Sequence, residues 1–134
     1  MSRVTSADFL GGLRWIDGAP LVVEAYRAAI FAAALDAVGA DGRPRYNLVL
    51  TGRAKKNWKS ADLVLAALFA LVGNDSPGGN QCYLLANDEG QAGDDLTLAK
   101  KLIAANPLLH ERLAVKQKLV TRRDGRGFLM ILPA

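Results

Sequence analysis

Cysteine and histidine are almost missing from this chain. Its 134 residues hold one of each, Cys82 and His110. A lone cysteine excludes an intrachain disulfide, and its setting in "QCYLLA" reads as a buried thiol. A lone histidine with no cysteine beside it excludes the common zinc constellations, and "NPLLHER" reads as a surface turn or short helix. Long apolar runs are missing as well. The longest, residues 63–72, is about half of the roughly 20 residues that a bilayer crossing takes. The N-terminus has no apolar signal region, because Asp8, Gly11 and Gly12 interrupt it. These absences make a cytoplasmic protein without a membrane partner the expectation. With 51% apolar and 22% charged residues, the composition is that of one folded domain rather than a disordered chain.

What the chain does have is an uneven charge. The net value is only +4. Yet Arg53, Lys55, Lys56 and Lys59 form one basic cluster, and Arg112, Lys116, Lys118, Arg122, Arg123 and Arg126 form another. Clusters of this kind favour phosphate-bearing partners through counterion release, or else form a solvated face.

Hydrophobic spacing predicts the elements. Residues 1–19 read as irregular. A helix is expected over residues 20–38, where Val22, Val23, Tyr26, Ile30, Ala33, Ala34 and Ala37 recur at helical spacing, with Pro20 in the first turn and Gly39 as the stop. The run Leu48, Val49, Leu50 predicts a strand covered on both faces, and "QCYLLAN" repeats that signature. Residues 60–72 are apolar nearly all round, which predicts a deeply buried helix. Asp88 with Gln91 three residues on resembles a capping box. It opens a helix whose inner face is Ala92, Leu96, Ala99 and Ile103, ending before Pro107. The carboxylates Asp94 and Asp95 read as compensation of that helix dipole rather than as an acid–base pair. Last, "VKQKLVTRRDGRGFLMILP" predicts two strands joined by a turn at Asp124 and Gly125. The order is helix, strand, helix, strand, helix, strand, strand. It predicts an α/β layered fold with a mainly parallel central sheet.

The stretch "LVLTGRAKKNWKS" carries the chemistry. A phosphate cradle takes a strand that aims the loop, converging backbone N–H groups, a lysine, a hydroxyl for Mg²⁺ and a helix N-terminus behind. Residues 48–51 supply the strand, Lys59 the lysine, Ser60 the hydroxyl, and residues 60–72 the helix. The strict G-x-x-x-x-G-K-[ST] spacing fails at two places. Arg53 and Trp58 occupy the glycine positions, and Gly52 sits one place early.

With these features in place, the chain resembles the ATPase part of a tailed-phage terminase large subunit. "AKKNWKS" is similar to that family's loop at every place except Trp58. "LRWIDGAPLVVEAYRAAIF" resembles the segment upstream, with Tyr26 at the aromatic and Arg27 where a glutamine that reads adenine is expected. "LLANDEGQAGDDLTLAKKLIAANPLL" resembles the following strand and helix. The resemblance implies a P-loop NTPase-like fold, ATP and Mg²⁺ as cofactors, and work in packaging double-stranded DNA alongside a portal and a small terminase subunit in the host cytoplasm. It implies that Gly52, Ala54, Lys56, Asn57, Trp58, Lys59 and Ser60 surround the phosphates, with Tyr26 and Arg27 near the base. Lys59 would contact the β/γ-phosphates and Ser60 would bind Mg²⁺. Lys55 stands where many members carry an arginine that stabilises charge on the γ-phosphate.

Within these residues no apolar strand ends in Asp-Glu, the pair that holds Mg²⁺ and polarises the attacking water. The expectation is therefore a partial, incomplete ATPase domain over residues 1–134, without the family's nuclease domain. It should bind nucleotide without turning it over, and self-associate through an open sheet edge. Two other readings stand beside it: another P-loop NTPase with a degenerate loop, and a non-enzymatic basic DNA-binding module.

Overall fold

A computed structural model describes residues 3–46, 48–51 and 58–133. Its elements are α1 (Ser6–Gly11), α2 (Ala25–Phe31) running into a π-helical turn (Ala32–Asp36), α3 (Lys59–Val72), β1 (Asn80–Ala86), α4 (Glu89–Ala105), α5 (Pro107–Arg112), β2 (Leu113–Val115), β3 (Leu119–Arg122) and β4 (Gly127–Pro133). No helix among the described residues is long and apolar enough to cross a membrane.

The sheet has four strands in the order β1-β4-β3-β2. Only β1 and β4 pair in parallel, from Asn80 opposite Gly127 to Ala86 opposite Pro133. The β2–β3 and β3–β4 ladders are antiparallel. The expected α/β class is present, but the expected mainly parallel sheet is not. The reason is connection length. Residues 116–118 and 123–126 are tight turns, and a chain reversing that sharply can only return antiparallel. The α4–α5 excursion is long enough for the one parallel crossover. At the β3–β4 turn Gly125 takes φ +78°, as the Asp-Gly signal predicted.

Helices α3 and α4 lie against β1 and β4. The core joins Leu65, Leu68 and Leu71 of α3 to Ala99, Leu102 and Ile103 of α4 and to Leu84, Val120, Leu129 and Ile131 of the sheet. Each such leucine stabilises the fold by roughly 1.5–3 kcal/mol. The two long helices fall where their spacing predicted. The Asp88 side chain accepts from Gln91 N at 2.8 Å, as a cap should. The Gln91 side chain turns instead to Asp95, at 3.0 Å.

Three expectations are corrected. First, the helix of the 20–38 segment begins at Ala25, not Pro20. Pro20 bridges Arg14, and Leu21 N donates to Leu13 O, so the chain is still extended there. Second, residues 48–51 form no strand. Leu48 and Leu50 are 75% and 87% exposed, because no strand among the described residues offers them a ladder. Third, β1 is covered on one face only. Leu84 and Ala86 point to the helices, while Tyr83 and Leu85 on the opposite face are 58% and 68% exposed. Two elements went unforeseen: α1, capped by Thr5 Oγ1 accepting from Asp8 N, and the short β2.

Asn80 fastens the helical layer to the sheet. Its Nδ2 donates to the carbonyls of Leu71 at 2.9 Å and Asn74 at 2.8 Å, and its Oδ1 accepts from Ser76 N at 2.8 Å. These bonds pair carbonyls that the end of α3 leaves without helical partners. Asn80→Ala should cost about 2 kcal/mol by orphaning them, seen as a lower urea midpoint at unchanged slope.

Candidate functional site

The N-terminus of α3 is the centre of the candidate site. Its cap is Trp58, at φ 64° and ψ 16°, the left-handed region that suits glycine. Among the described residues it is the one non-glycine with positive φ. Holding a Cβ there costs about 1–2 kcal/mol. Its carbonyl accepts the first helical bond, from Asp62 N at 2.8 Å, so the backbone turns into the helix as a glycine would allow. No side chain caps this end of the helix through Trp58, and Lys59 and Ser60 are exposed on its first turn.

Packing of the indole offsets the strain. The Arg27 guanidinium carbon lies 4.2 Å from the Trp58 ring centroid, a cation–π contact. The Trp15 ring meets Trp58 at 5.2 Å and 69°. Behind this stack Arg27, with none of its surface exposed, grips Asp62: Nη2 donates at 2.8 Å and Nε at 3.1 Å to Oδ1. Its Nη1 faces Glu24 at 3.4 Å and the Val22 carbonyl at 3.5 Å. This is a buried, two-pronged pair of the kind only a planar guanidinium makes. It clamps α2 to the first turn of α3.

Of the residues expected at the site, Trp58, Lys59, Ser60 and Arg27 are brought together here. Tyr26 sits beside Arg27 on α2 and is exposed. Gly52, Ala54, Lys55, Lys56 and Asn57 lie outside the described residues, as does Arg53. Asp62 and Trp15 were not singled out in the sequence. An acid inside the apolar run "KSADLVLAALFALV" was the available signal for Asp62. Beside the site is a cavity of about 330 Å³, lined mainly by apolar residues such as Ile30, Phe31 and Leu63, with Thr51, Lys59 and Asp62 also on its wall.

The C-terminal basic cluster does not act as a unit. Arg122 is buried and donates to Asp75 at 2.7 Å and to Asp124 at 2.7 Å. Its hydrogen bonds hold both carboxyls below the usual range, and they in turn push the Arg122 guanidinium up. Arg112 reaches the Val72 carbonyl at 3.3 Å, while Arg123 and Arg126 stay exposed. Burial pushes the Asp95 carboxyl and the half-buried Cys82 thiol up. Asp95 is on α4 and Cys82 on β1. Among the described residues no group of three or more His, Cys, Asp or Glu could hold a metal ion.

No protein-family model and no curated protein matches the chain. A solved structure does: the large terminase of bacteriophage HK97, at TM-score 0.78 and 20% identity over 93% of this chain. The chain spans 26% of that terminase's length. The resemblance read in the sequence is thus matched at the level of the fold.

Proposed function

We propose that this chain is a terminase-related nucleotide-binding unit that takes Mg²⁺-ATP on the loop leading into α3. The observation that carries the reading is the shared fold with a phage large terminase, combined with Lys59 and Ser60 exposed at the start of a 14-residue helix. The left-handed cap and the first-turn N–H groups suit an anion, and the ammonium of Lys59 adds charge at the same place. Lys59 binds and orients the phosphates, and the Ser60 hydroxyl would hold the Mg²⁺. That ion would neutralise charge on the phosphate oxygens when bound. Lys55 is assigned a supporting electrostatic role by its position, next to Lys56 and Asn57.

Turnover is not proposed for this chain. Asp62 is engaged with Arg27, and the Asp88-Glu89 pair beyond β1 opens α4, with Asp88 capping that helix by accepting from Gln91 N. In a packaging machine the unit would work beside double-stranded DNA, a portal and a small terminase subunit, in the host cytoplasm. Self-association is proposed through the exposed apolar residues Leu48, Leu50, Tyr83 and Leu85.

Calorimetric titration of the 134-residue chain with Mg²⁺-ATP tests this. Binding should be present, and Lys59→Ala should weaken it more than tenfold with the thermal midpoint nearly unchanged. Absence of binding sinks the proposal, and Lys59-dependent release of phosphate sinks the claim of no turnover.

A further inference from the structure

The outer edge of β1 differs from the other edge of the sheet. Asn80 N donates to Arg126 O in the ladder with β4, and the pairing runs without a bulge from Asn80 to Ala86. In such a ladder alternate residues face the neighbouring strand. Cys82, Leu84 and Ala86 therefore turn their backbone groups to β4 with Asn80, while Gln81, Tyr83 and Leu85 turn N–H and C=O the other way. Among the described residues no strand lies on that side. Natural edges are blunted by lysine, proline, bulges or shortness. The opposite edge follows this rule, since β2 has three residues set between Arg112 and Lys116. β1 has seven residues and none of these devices. We propose that this edge binds the same edge of a second copy, antiparallel about a two-fold axis at Tyr83, so that the two sheets join into one. The inference rests on the self-association proposed above and gives it a partner and a register.

Three observations select this partner. The register is self-complementary: Tyr83 meets Tyr83 of the second copy and Gln81 meets Leu85, so every outward N–H and C=O of these residues is paired. A centre at Gln81 or at Leu85 would leave part of them unpaired. Next, the strand Asn80–Ala86 carries no charge, so two copies meet without repulsion. On the open face Tyr83 and Leu85 line the seam, and Phe128 holds the Tyr83 ring edge-on at 5.6 Å. Finally, the charges beyond the strand ends are complementary. Extending the register past Ala86 brings the exposed Asp88 and Glu89 beside residues 77–78 of the second copy. Arg126 is anchored next to them, donating to Ser76 O at 3.3 Å. A parallel approach would set Arg126 against Arg126 instead.

Sedimentation over a concentration series, together with oxidative cross-linking, tests the proposal on the 134-residue chain. The wild type should pass from monomer to dimer. Leu85→Pro removes only an outward N–H, and Tyr83→Lys alters an exposed side chain, so at least one variant retains the fold. Each should weaken the dimer about tenfold or more. Across the two-fold axis the Tyr83 Cα atoms should stand about 5.5 Å apart, within disulfide reach. Tyr83→Cys in a Cys82→Ser background should thus give a covalent dimer under oxidised glutathione. The wild-type Cys82 should not, because it meets its own copy diagonally at about 7–8 Å. Failure of Tyr83→Cys to cross-link overturns the proposal, as does a dimer undiminished in both Leu85→Pro and Tyr83→Lys. If Leu48→Lys with Leu50→Lys disperses such a dimer, the broader self-association stands without this edge. A monomer throughout the series overturns both.

Discussion

Arg27→Ala should destabilise the chain by about 3–5 kcal/mol, the largest effect expected of any single substitution outside the leucine core. The substitution leaves the Asp62 carboxylate buried after its two-pronged partner is gone. It also strips the cation from beneath Trp58, so the strained left-handed cap loses the contact that offsets its cost. Arg27→Lys should recover only part of the loss, since an ammonium makes one contact where the fork makes two. The double variant Arg27→Met with Asp62→Leu should recover most of it, because two apolar groups of similar size leave no buried charge behind. Urea denaturation of the four chains measures the series. A loss below about 1 kcal/mol in Arg27→Ala would show that the pair does not hold α2 to α3.

Arg122→Ala should cost less, about 2–3 kcal/mol. Its partners Asp75 and Asp124 are half exposed, so water takes over part of their solvation. This pair also has a pH signature. Hydrogen bonds from Arg122 lower both carboxyls below their ordinary 3.8 in the folded chain. A group depressed in the native state stabilises above its unfolded value, and that contribution is lost as pH falls through the folded one. Wild-type stability should therefore drop steeply below about pH 4. In Arg122→Ala the drop should be shallower, as measured by urea midpoints from pH 6 to pH 2. Equal slopes in the two chains would show that the acids titrate without regard to Arg122.

How much of this was readable beforehand depends on the range of each interaction. Helices α3 and α4, the Asp88 cap and the Asp124-Gly125 turn rest on neighbours within four residues, and all four were predicted from spacing. The parallel sheet was over-read. A run such as Leu48, Val49, Leu50 has the same letters whether strands flank it or water does. The tyrosine and leucine of "QCYLLA" likewise gave no hint that one face of β1 would be open. At the candidate site, the loop pattern placed Lys59 and Ser60 at the start of a helix, and α3 begins there. The clamp was not, because Arg27 and Asp62 stand 35 residues apart. The usable clue was charge in the wrong setting: an arginine one turn before the buried Phe31, and an aspartate inside an apolar helix. Two such misplaced charges of opposite sign are a reason to look for each other.

The clamp also decides where the chain can change length. Between Arg27 and Asp62 the described backbone includes an exposed loop closed by the bridge from Val38 to Pro44. Because the pair fixes both ends of the intervening segment, its interior can be lengthened at little thermodynamic cost. Each doubling of a flexible loop adds only about 0.6 kcal/mol. The turn at Asp41 and Gly42, with glycine at φ +80° and open space around it, is the natural point of entry. A peptide tag or a small folded insert placed there would ride on the outside of the molecule, tethered by two helices that already hold one another.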